Sequence, residues 1–542
     1  MAWDMQDFGE FDYVIAGGGT AGCVLANRLS SNPKTTVLLL EAGGRDDWIW
    51  IDIPVGYLKC INNPRTDWCY RTEAEAGLNG RSIIYARGKV LGGCSSINGM
   101  LVMRGQAGDY DSWARHTGDS RWNWESVLPV FRRSEDYWGG ADAMHGVGGE
   151  WRVEKQRLRW DILDRFIDAA GQAGIPRCED YNRGDNFGMG HFEVNQKGGL
   201  RWSASKAFLR PVQKRPNLRI VTNALIDRII LEKREARGVE FLLGNARARA
   251  HARAATILTA GAIGSPLLLQ RSGIGATGLL RERGVEPVLD LPGVGENLQD
   301  HLQLRMIYRV QGVRTLNERS HSLWGKAAMA LEYALFRSGP MSMAPSQLGG
   351  CFRSSSDVPT PDLEFHVQPL SLDSFGKPLH EFPAFTASVC NLRPSSRGYV
   401  RLRNADPHVA PVIAPCYLST DHDRQVAARA LRLTRAIVAM PALEGYKPAE
   451  ILPGVQAQTD EELARAAGDI GTTIFHPTCT CAMGKPGDPS AVVDSELRVL
   501  GIGKLRVIDA SIMPTVTSGN TNTPTVMIAE RGAELLLRAR AS

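Results

Sequence analysis

A chain of 542 residues, 43% hydrophobic and 22% charged, has ordinary globular composition and is too long for one simple core, so two or more lobes are expected. Its 63 basic side chains are interleaved with 58 acidic ones for a net charge of +5, and the absence of long Lys/Arg runs argues against a nucleic-acid partner. Ten cysteines, none at zinc-finger spacing, argue for a reduced compartment and no metal; the close pair Cys479 and Cys481 would make a strained disulfide.

The N-terminus, "MAWDMQDFGEFDY", is acidic and lacks the pattern of a secretory signal, and no apolar run is long enough to span a bilayer. A cytoplasmic protein without a transmembrane segment is expected, a setting that also permits peripheral membrane contact. "FDYVIA" (11–16) reads as a buried strand and "TAGCVLANRLSS" (20–31) as a helix with apolar residues at helical spacing. Between them stands Gly17-x-Gly19-x-x-Gly22. In such a turn the first glycine permits the bend, the second lets a pyrophosphate reach the backbone, and the third lets helix pack on strand. The free N–H groups at the helix start then face the phosphates. A second apolar run, "TTVLLLE" (35–41), ends in Glu41, placed to accept hydrogen bonds from ribose hydroxyls. A dinucleotide is therefore the expected ligand class, NAD or FAD.

Further along, "RGKVLGGCSSINGMLVMRG" (87–105) interleaves Gly92, Gly93 and Gly99 with small polar and apolar residues, a composition that lets backbone press against an extended planar ligand. "RARAHARAA" (247–255) is the most basic patch and reads as a solvated edge strand. "GYVRLR" (398–403) alternates like a strand, and "TDHDRQVAARALRLTRAIVAM" (420–440) reads as a helix. Near the C-terminus stand "TIFHPTCTCAMG" and "SGNTNTPTVMIAER".

Residues 87–105 resemble the first signature of the glucose–methanol–choline (GMC) oxidoreductases, and "GAIGSPLLLQRSGIG" (261–275) matches the second. "LPGVGENLQDH" (291–301), "RPSSRGYVRLRNADP" (393–407), "HPTCTCAMG" (476–484) and "LRVIDASIMPTVTSGNTNTPTVMIAER" (505–531) are similar to further blocks in family order. The resemblance implies FAD and an α/β fold with two domains. A Rossmann-like FAD-binding domain would gather 1–157, 200–310 and 470–542. A substrate-binding cap of antiparallel sheet flanked by helices would take 158–199 and 311–469.

Carried over by position, the resemblance places Gly17, Gly19, Thr20 and Ala21 at the pyrophosphate and Glu41 at the ribose. It places Gly92, Gly93, Asn98 and Met100 along the flavin, and the backbone of Ile226 at the adenine. Asp509 and Ala510 would face the linker between ADP and flavin, with Asn522, Thr523 and Pro524 at the pyrimidine edge. Some members attach FAD through a histidine where this chain has Ile97, so non-covalent FAD is expected.

Oxidising an alcohol at a flavin moves a hydride from carbon while the hydroxyl proton leaves, and histidine is the side chain suited to take that proton near neutral pH. His476 matches the family's catalytic base, and Asn522 the position beside it that holds the substrate oxygen; Asn520 competes for that place. Phe475 and Leu348 join them as substrate contacts. Choline-specific relatives carry a glutamate in the strand aligned with "PSQLGGCFR" (345–353), at the place of Leu348, so choline is not expected. Met341, Met343 and Leu348 instead suggest an apolar cap for aromatic, aliphatic or polyether primary alcohols. The reaction expected is alcohol to aldehyde. The electron acceptor (oxygen, a quinone or an artificial dye) is not legible; likeness to bacterial members favours a dehydrogenase over an oxidase. The alternatives are lyase-type chemistry on the same fold and a non-catalytic FAD module.

Overall fold

The computed structural model describes residues 5–373 and 377–541. Strand Gln6–Ala16 (β1), the turn at Gly17–Gly19, helix Thr20–Leu29 (α1) and strand Val37–Leu40 (β2) follow one another as the pattern predicts. β1 lies between β2 and the long strand Ala246–Leu258, parallel to both, with Tyr13 opposite Val37 and Val14 opposite Thr256. Leu218–Val221 extends this sheet beyond β2, while Ala224–Glu232 and Glu235–Leu243 form an antiparallel meander at the other side. Leu505–Val507 pairs with the end of Ala246–Leu258, bringing a C-terminal strand to the same edge as the glycine turn. The centre of the sheet is buried throughout, as in parallel sheets covered on both faces. α1 packs against the C-terminal helix Asn522–Ala541, and Arg28 ties them with ion pairs to Glu530 (2.7 Å) and Glu150 (2.6 Å).

The basic stretch 247–255 is not an edge. It lies inside the sheet, with Ala248, Ala250 and Ala252 buried on one face. The arginines of its other face are exposed and pair with the neighbouring strand, Arg249 with Asp7 and Arg253 with Glu10 and Asp12. Alternation marks one solvated face, and an interior strand can have one as readily as an edge.

A second, antiparallel sheet runs in the order Leu348–Phe352, Leu363–Gln368, Ala384–Asn391, Leu302–Arg309, Ala449–Leu452, with Gly471–Thr473 also on Leu302–Arg309. Its alternate residues separate cleanly. Leu302, Leu304 and Met306, Leu363, Phe365 and Val367, and Phe385, Ala387 and Val389 enter an apolar core with helices Asp161–Gln172, Asp421–Val438 and Asp460–Ile470. Gln303 and Arg305, Glu364, His366 and Gln368, and Thr386, Ser388 and Cys390 are buried on the opposite face. Helix Asp421–Val438 starts where predicted, with Thr420 Oγ1 accepting the Asp423 N–H.

The predicted boundaries shift in three places. Leu302–Arg309 and Gly471–Thr473 are strands of the second sheet, not of the first lobe. The 398–414 segment, expected in the cap, forms a small hairpin whose Val400, Leu402 and Ile413 pack on Ile263 and Leu267 of helix Gly261–Arg271.

Candidate active site

A continuous cavity, open to solvent at its mouth, runs between the two sheets. At one end it is bounded by Gly17, Gly19, Thr20, Ala21, Glu41 and Ile226, and at the other by Phe475, His476 and Asn520. Gly93, Asn98, Met100, Asp509, Ala510 and Asn522 line its length.

At the first end no side chain caps the N-terminus of α1, which leaves its first-turn N–H groups for a ligand. Glu41 is buried; its Oε2 accepts the Gly18 N–H (2.8 Å) and its Oε1 the Gly43 N–H (2.7 Å). Burial pushes its carboxyl from the ordinary 4.5 up to about 7, with these two N–H groups and Lys89 opposing. A carboxyl raised on folding favours the protonated fold, so this group's contribution to stability is full below about 4.5 and is lost as pH rises through about 7. Were Glu41 to hold the ribose, as the resemblance implies, the hydroxyls would donate best to its ionised form. The affinity of the FAD-free protein for FAD is therefore expected to weaken as pH falls below 7, by up to about tenfold per pH unit. Titration by flavin fluorescence at several pH values, with Glu41→Gln as the pH-insensitive control, checks this; an equally flat wild-type profile would refute it.

In the middle, two glycine loops meet. Gly93, at φ +53°, lies so close to Gly19 that an added Cβ would stand 2.8 Å from the Gly19 Cα. Asn98 Oδ1 accepts from the buried Arg201 Nη1 (2.9 Å) and from the Met100 N–H (3.0 Å). Asp509 spends its carboxylate within the protein: Oδ2 holds the Gly261 N–H and Ser265 hydroxyl, and Oδ1 the Ser511 N–H and hydroxyl. It joins the start of helix Gly261–Arg271 to the turn Ala510–Ile512. Ile226 lines the wall while its carbonyl accepts from Arg271.

At the far end His476 is buried, and its backbone N–H donates to Asp300 Oδ1 (2.8 Å). Phe475, at φ +67°, turns the chain there, and its carbonyl accepts from Arg87 Nη2. The imidazole Nε2 lies 3.0 Å from Asn520 Nδ2, and Nδ1 lies 3.0 Å from His301 Nδ1. Burial holds the His476 pKa well below the usual histidine value, and the nearby His301, His366 and Arg87 push the same way. The imidazole is thus neutral at pH 7 and able to accept a proton. Gln303, Ser346, His366 and Gln368 complete the wall on the cap side.

Five predicted residues take places other than those expected. Asn522 is not the partner of His476: it opens the C-terminal helix, and its Oδ1 accepts from the Thr20 hydroxyl (2.8 Å). Leu348 belongs to the apolar core beneath the second sheet, because its parity in Leu348–Phe352 matches Phe352 and it pairs with Val367. The case against choline built on Leu348 therefore falls. Gly92, Thr523 and Pro524 are absent from the cavity wall; Gly92, at φ +85°, shapes the turn Gly93–Ser96, and Thr523 and Pro524 lie in the first helical turn.

Gln303, His366 and Gln368 were not singled out from sequence, although a signal exists. "LEFHVQ" alternates apolar and polar residues as a half-exposed strand would, yet all six are buried, so its polar face must meet a site.

Residues 11–303 and 394–529 match the N- and C-terminal models of the GMC oxidoreductases, and the chain belongs to that family of FAD-dependent oxidoreductases acting on CH–OH donors. It is 41% identical to the oxygen-dependent choline dehydrogenase of Vibrio vulnificus over 97% of this chain and 94% of that one. It is 39% identical to human mitochondrial choline dehydrogenase over 97% and 90%. Among solved structures, pyridoxine 4-oxidase from Mesorbium loti superposes with a TM-score of 0.87 at 34% identity, covering 97% of this chain and 98% of that one. Formate oxidase from Aspergillus oryzae superposes at 0.91 with 26% identity, over 98% and 99%. The cavity fits the family's cofactor: two glycine loops touch where a Cβ would part them, and Asn520 Oδ1 on the cavity wall is buried without a protein partner. No helix among the described residues is long and apolar enough to cross a membrane.

Proposed function

We propose that this enzyme oxidises a primary alcohol to its aldehyde, with His476 as proton acceptor and Asn520 holding the substrate oxygen. The observation that carries this is the 3.0 Å pairing of His476 Nε2 with Asn520 Nδ2 on the wall of the cavity. FAD, once bound, supplies the two-electron acceptor for the hydride of the carbinol carbon. The α1 N-terminus with Gly17, Gly19, Thr20 and Ala21 would hold its pyrophosphate, Glu41 its ribose, and Gly93, Asn98 and Met100 its ring system. Ile97 offers no nucleophile, so the attachment is non-covalent. The alcohol would lie beside the His476–Asn520 pair: its O–H proton passes to Nε2, and the second Asn520 amide N–H donates to the oxygen as negative charge develops. Phe475 and the cap wall exclude water around that pair.

The substrate is argued from charge. Among the described lining residues the carboxylates are Glu41 and Asp509, in the nucleotide part of the cavity; the cap wall offers Gln303, Ser346, His366 and Gln368, with the buried Glu364 3.4 Å behind His366 Nε2. That wall favours a neutral alcohol over a quaternary cation. Choline is the second reading, favoured by the aromatic residues Tyr57, Trp68 and Tyr70 in the lining, since aromatic faces hold quaternary ammonium groups. Against it, Lys89 Nζ already sits 4.7 Å from the Trp68 ring centroid.

Anaerobic addition of benzylic, aliphatic, polyether and choline alcohols to the yellow holoenzyme, followed by flavin absorbance, tests the reading. Bleaching by neutral primary alcohols is expected. Bleaching by choline alone would move the assignment to the second reading, and no bleaching by any alcohol would favour lyase-type chemistry. Slow return of colour in air is expected of a dehydrogenase and fast return of an oxidase.

A further inference from the structure

The two histidines at the far end of the cavity belong to one chain of hydrogen bonds that spans both lobes. His301 Nε2 lies 3.2 Å from the Leu392 carbonyl oxygen, at the end of the cap strand Ala384–Asn391. His301 Nδ1 lies 3.0 Å from His476 Nδ1, and His476 Nε2 lies 3.0 Å from Asn520 Nδ2. The backbone holds this spacing. Leu302 pairs with Thr473, the Ile474 N–H donates to the His301 carbonyl, and Gln299 and Thr478 exchange hydrogen bonds in both directions. The two rings meet edge to face at 86°.

Hydrogen accounting leaves one arrangement. A carbonyl oxygen only accepts, so His301 carries its hydrogen on Nε2. His301 is fully buried, and burial keeps it neutral, so its Nδ1 is a bare acceptor. Two Nδ1 atoms 3.0 Å apart need one hydrogen between them, and it must sit on His476. With Nδ1 protonated, a neutral His476 presents a bare Nε2 to the cavity. The Asn520 amide agrees, since its N–H₂ faces that nitrogen. The opposite tautomers would set the His301 Nε2 lone pair against the Leu392 carbonyl.

We propose that His301 is a positioning residue that fixes the Nδ1–H tautomer of His476, so that the bare Nε2 always faces the alcohol. The anchor is a carbonyl of the cap, so a correctly seated cap sets the protonation state of the base. In the reaction, the alcohol O–H bond breaks and an N–H bond forms at His476 Nε2. FAD, when bound, would take the carbinol hydrogen with its electron pair, which leaves the carbonyl product. The resulting imidazolium donates through Nδ1 to the bare His301 Nδ1, and Asp300 lies against its backbone N–H. A wrong tautomer would point an N–H at the alcohol and block proton acceptance, a fault that is severe in other histidine bases.

The role of His301 rests on the reading of His476 as proton acceptor, whereas the tautomer can be read without any substrate. Two-bond 1H–15N spectra of 15N-histidine-labelled holoenzyme, with His476 assigned by loss of its signals in His476→Gln, should show Nδ1–H and a bare Nε2. An Nε2–H tautomer for His476 would overturn the proposal. His301→Leu should lose the single tautomer and slow flavin reduction by roughly tenfold to a hundredfold with little change in the substrate concentration for half-saturation. His301→Asn places an amide oxygen near the Nδ1 position and should restore most of the rate. His301→Leu with unchanged tautomer and rate, or His301→Asn no better than His301→Leu, would likewise overturn it. Were His476 itself not the base, His476→Gln would reduce at the wild-type rate while the wild-type tautomer still read as expected.

Discussion

Reduction of the flavin by alcohol is expected to slow by roughly two to four orders of magnitude in His476→Gln, with FAD still bound. The argument is one of reach and proton affinity. His476 Nε2 is on the cavity wall, its ring is neutral at pH 7, and the other titratable side chains of that wall cannot replace it. Arg87 donates to the Phe475 carbonyl, and His366 stands on the cap strand with its Nε2 3.4 Å from Glu364 Oε2. Stopped-flow reduction of the variant checks the claim, and a rate near wild type would remove His476 from the proton-acceptor role. Asn520→Ala should cost about a hundredfold by loss of one donor to the developing alkoxide. Asn522→Ala should leave the reduction step intact and show instead in FAD retention, because its amide holds the Thr20 hydroxyl at the start of α1. The pH profile follows from the depressed pKa. The wild-type base is active in its unprotonated form, so kcat/KM should not fall from this group until pH drops below 6.5. A limb centred at 7 or above would contradict the burial argument.

The contrast between the two asparagines shows where sequence reasoning stops. Counting back from Glu530 and Arg531 aligns a block, but it does not say which of two asparagines two residues apart turns inward. That depends on where the helix begins. Asn522 is its first residue and takes a hydrogen bond from α1, whereas Asn520 follows Gly519, at φ +148°, in the bend before the helix that lines the cavity. Leu348 failed for a related reason: in a strand, a shift of one residue exchanges the site face for the core face. The glycine turn and Glu41 were legible because a turn, a helix start and a nearby strand end are local features. Gln303, His366 and Gln368 come from two strands brought side by side only through Ala384–Asn391, and His301 gains its meaning from a carbonyl 91 residues away. Such groups carry no local spacing, only the trace of polar residues in strands that turn out to be wholly buried.

Gly17→Ala is expected to yield protein that folds but is purified nearly free of FAD. Gly17 sits at φ +122°, a backbone state that an L side chain enters at a cost of about 1–3 kcal/mol. An added Cβ would also stand 2.6 Å from the Thr259 carbonyl oxygen and 2.8 Å from its carbon. Those atoms are backbone at the end of Ala246–Leu258, whose Leu258 pairs with Ala16 and whose Thr259 hydroxyl donates to the Gly17 carbonyl. They cannot step aside without parting the central pair of strands, and forced overlap adds about 1–3 kcal/mol more. The combined strain relaxes most easily by moving the turn, which carries the α1 N–H groups away from the pyrophosphate. At about 1.4 kcal/mol per tenfold, the affinity for FAD should drop by between about 30-fold and 10⁴-fold. Gly9→Ala separates the two causes. Gly9 also has positive φ, +85°, but nothing lies within 4 Å of its added Cβ, and it stands on the exposed part of β1 away from the cavity. That variant should keep its yellow colour, and the ratio of flavin absorbance to protein absorbance decides between them. A yellow, FAD-replete Gly17→Ala would show that the turn does not hold the cofactor through its backbone, and with that the reading of the first cavity end as the pyrophosphate site would fall.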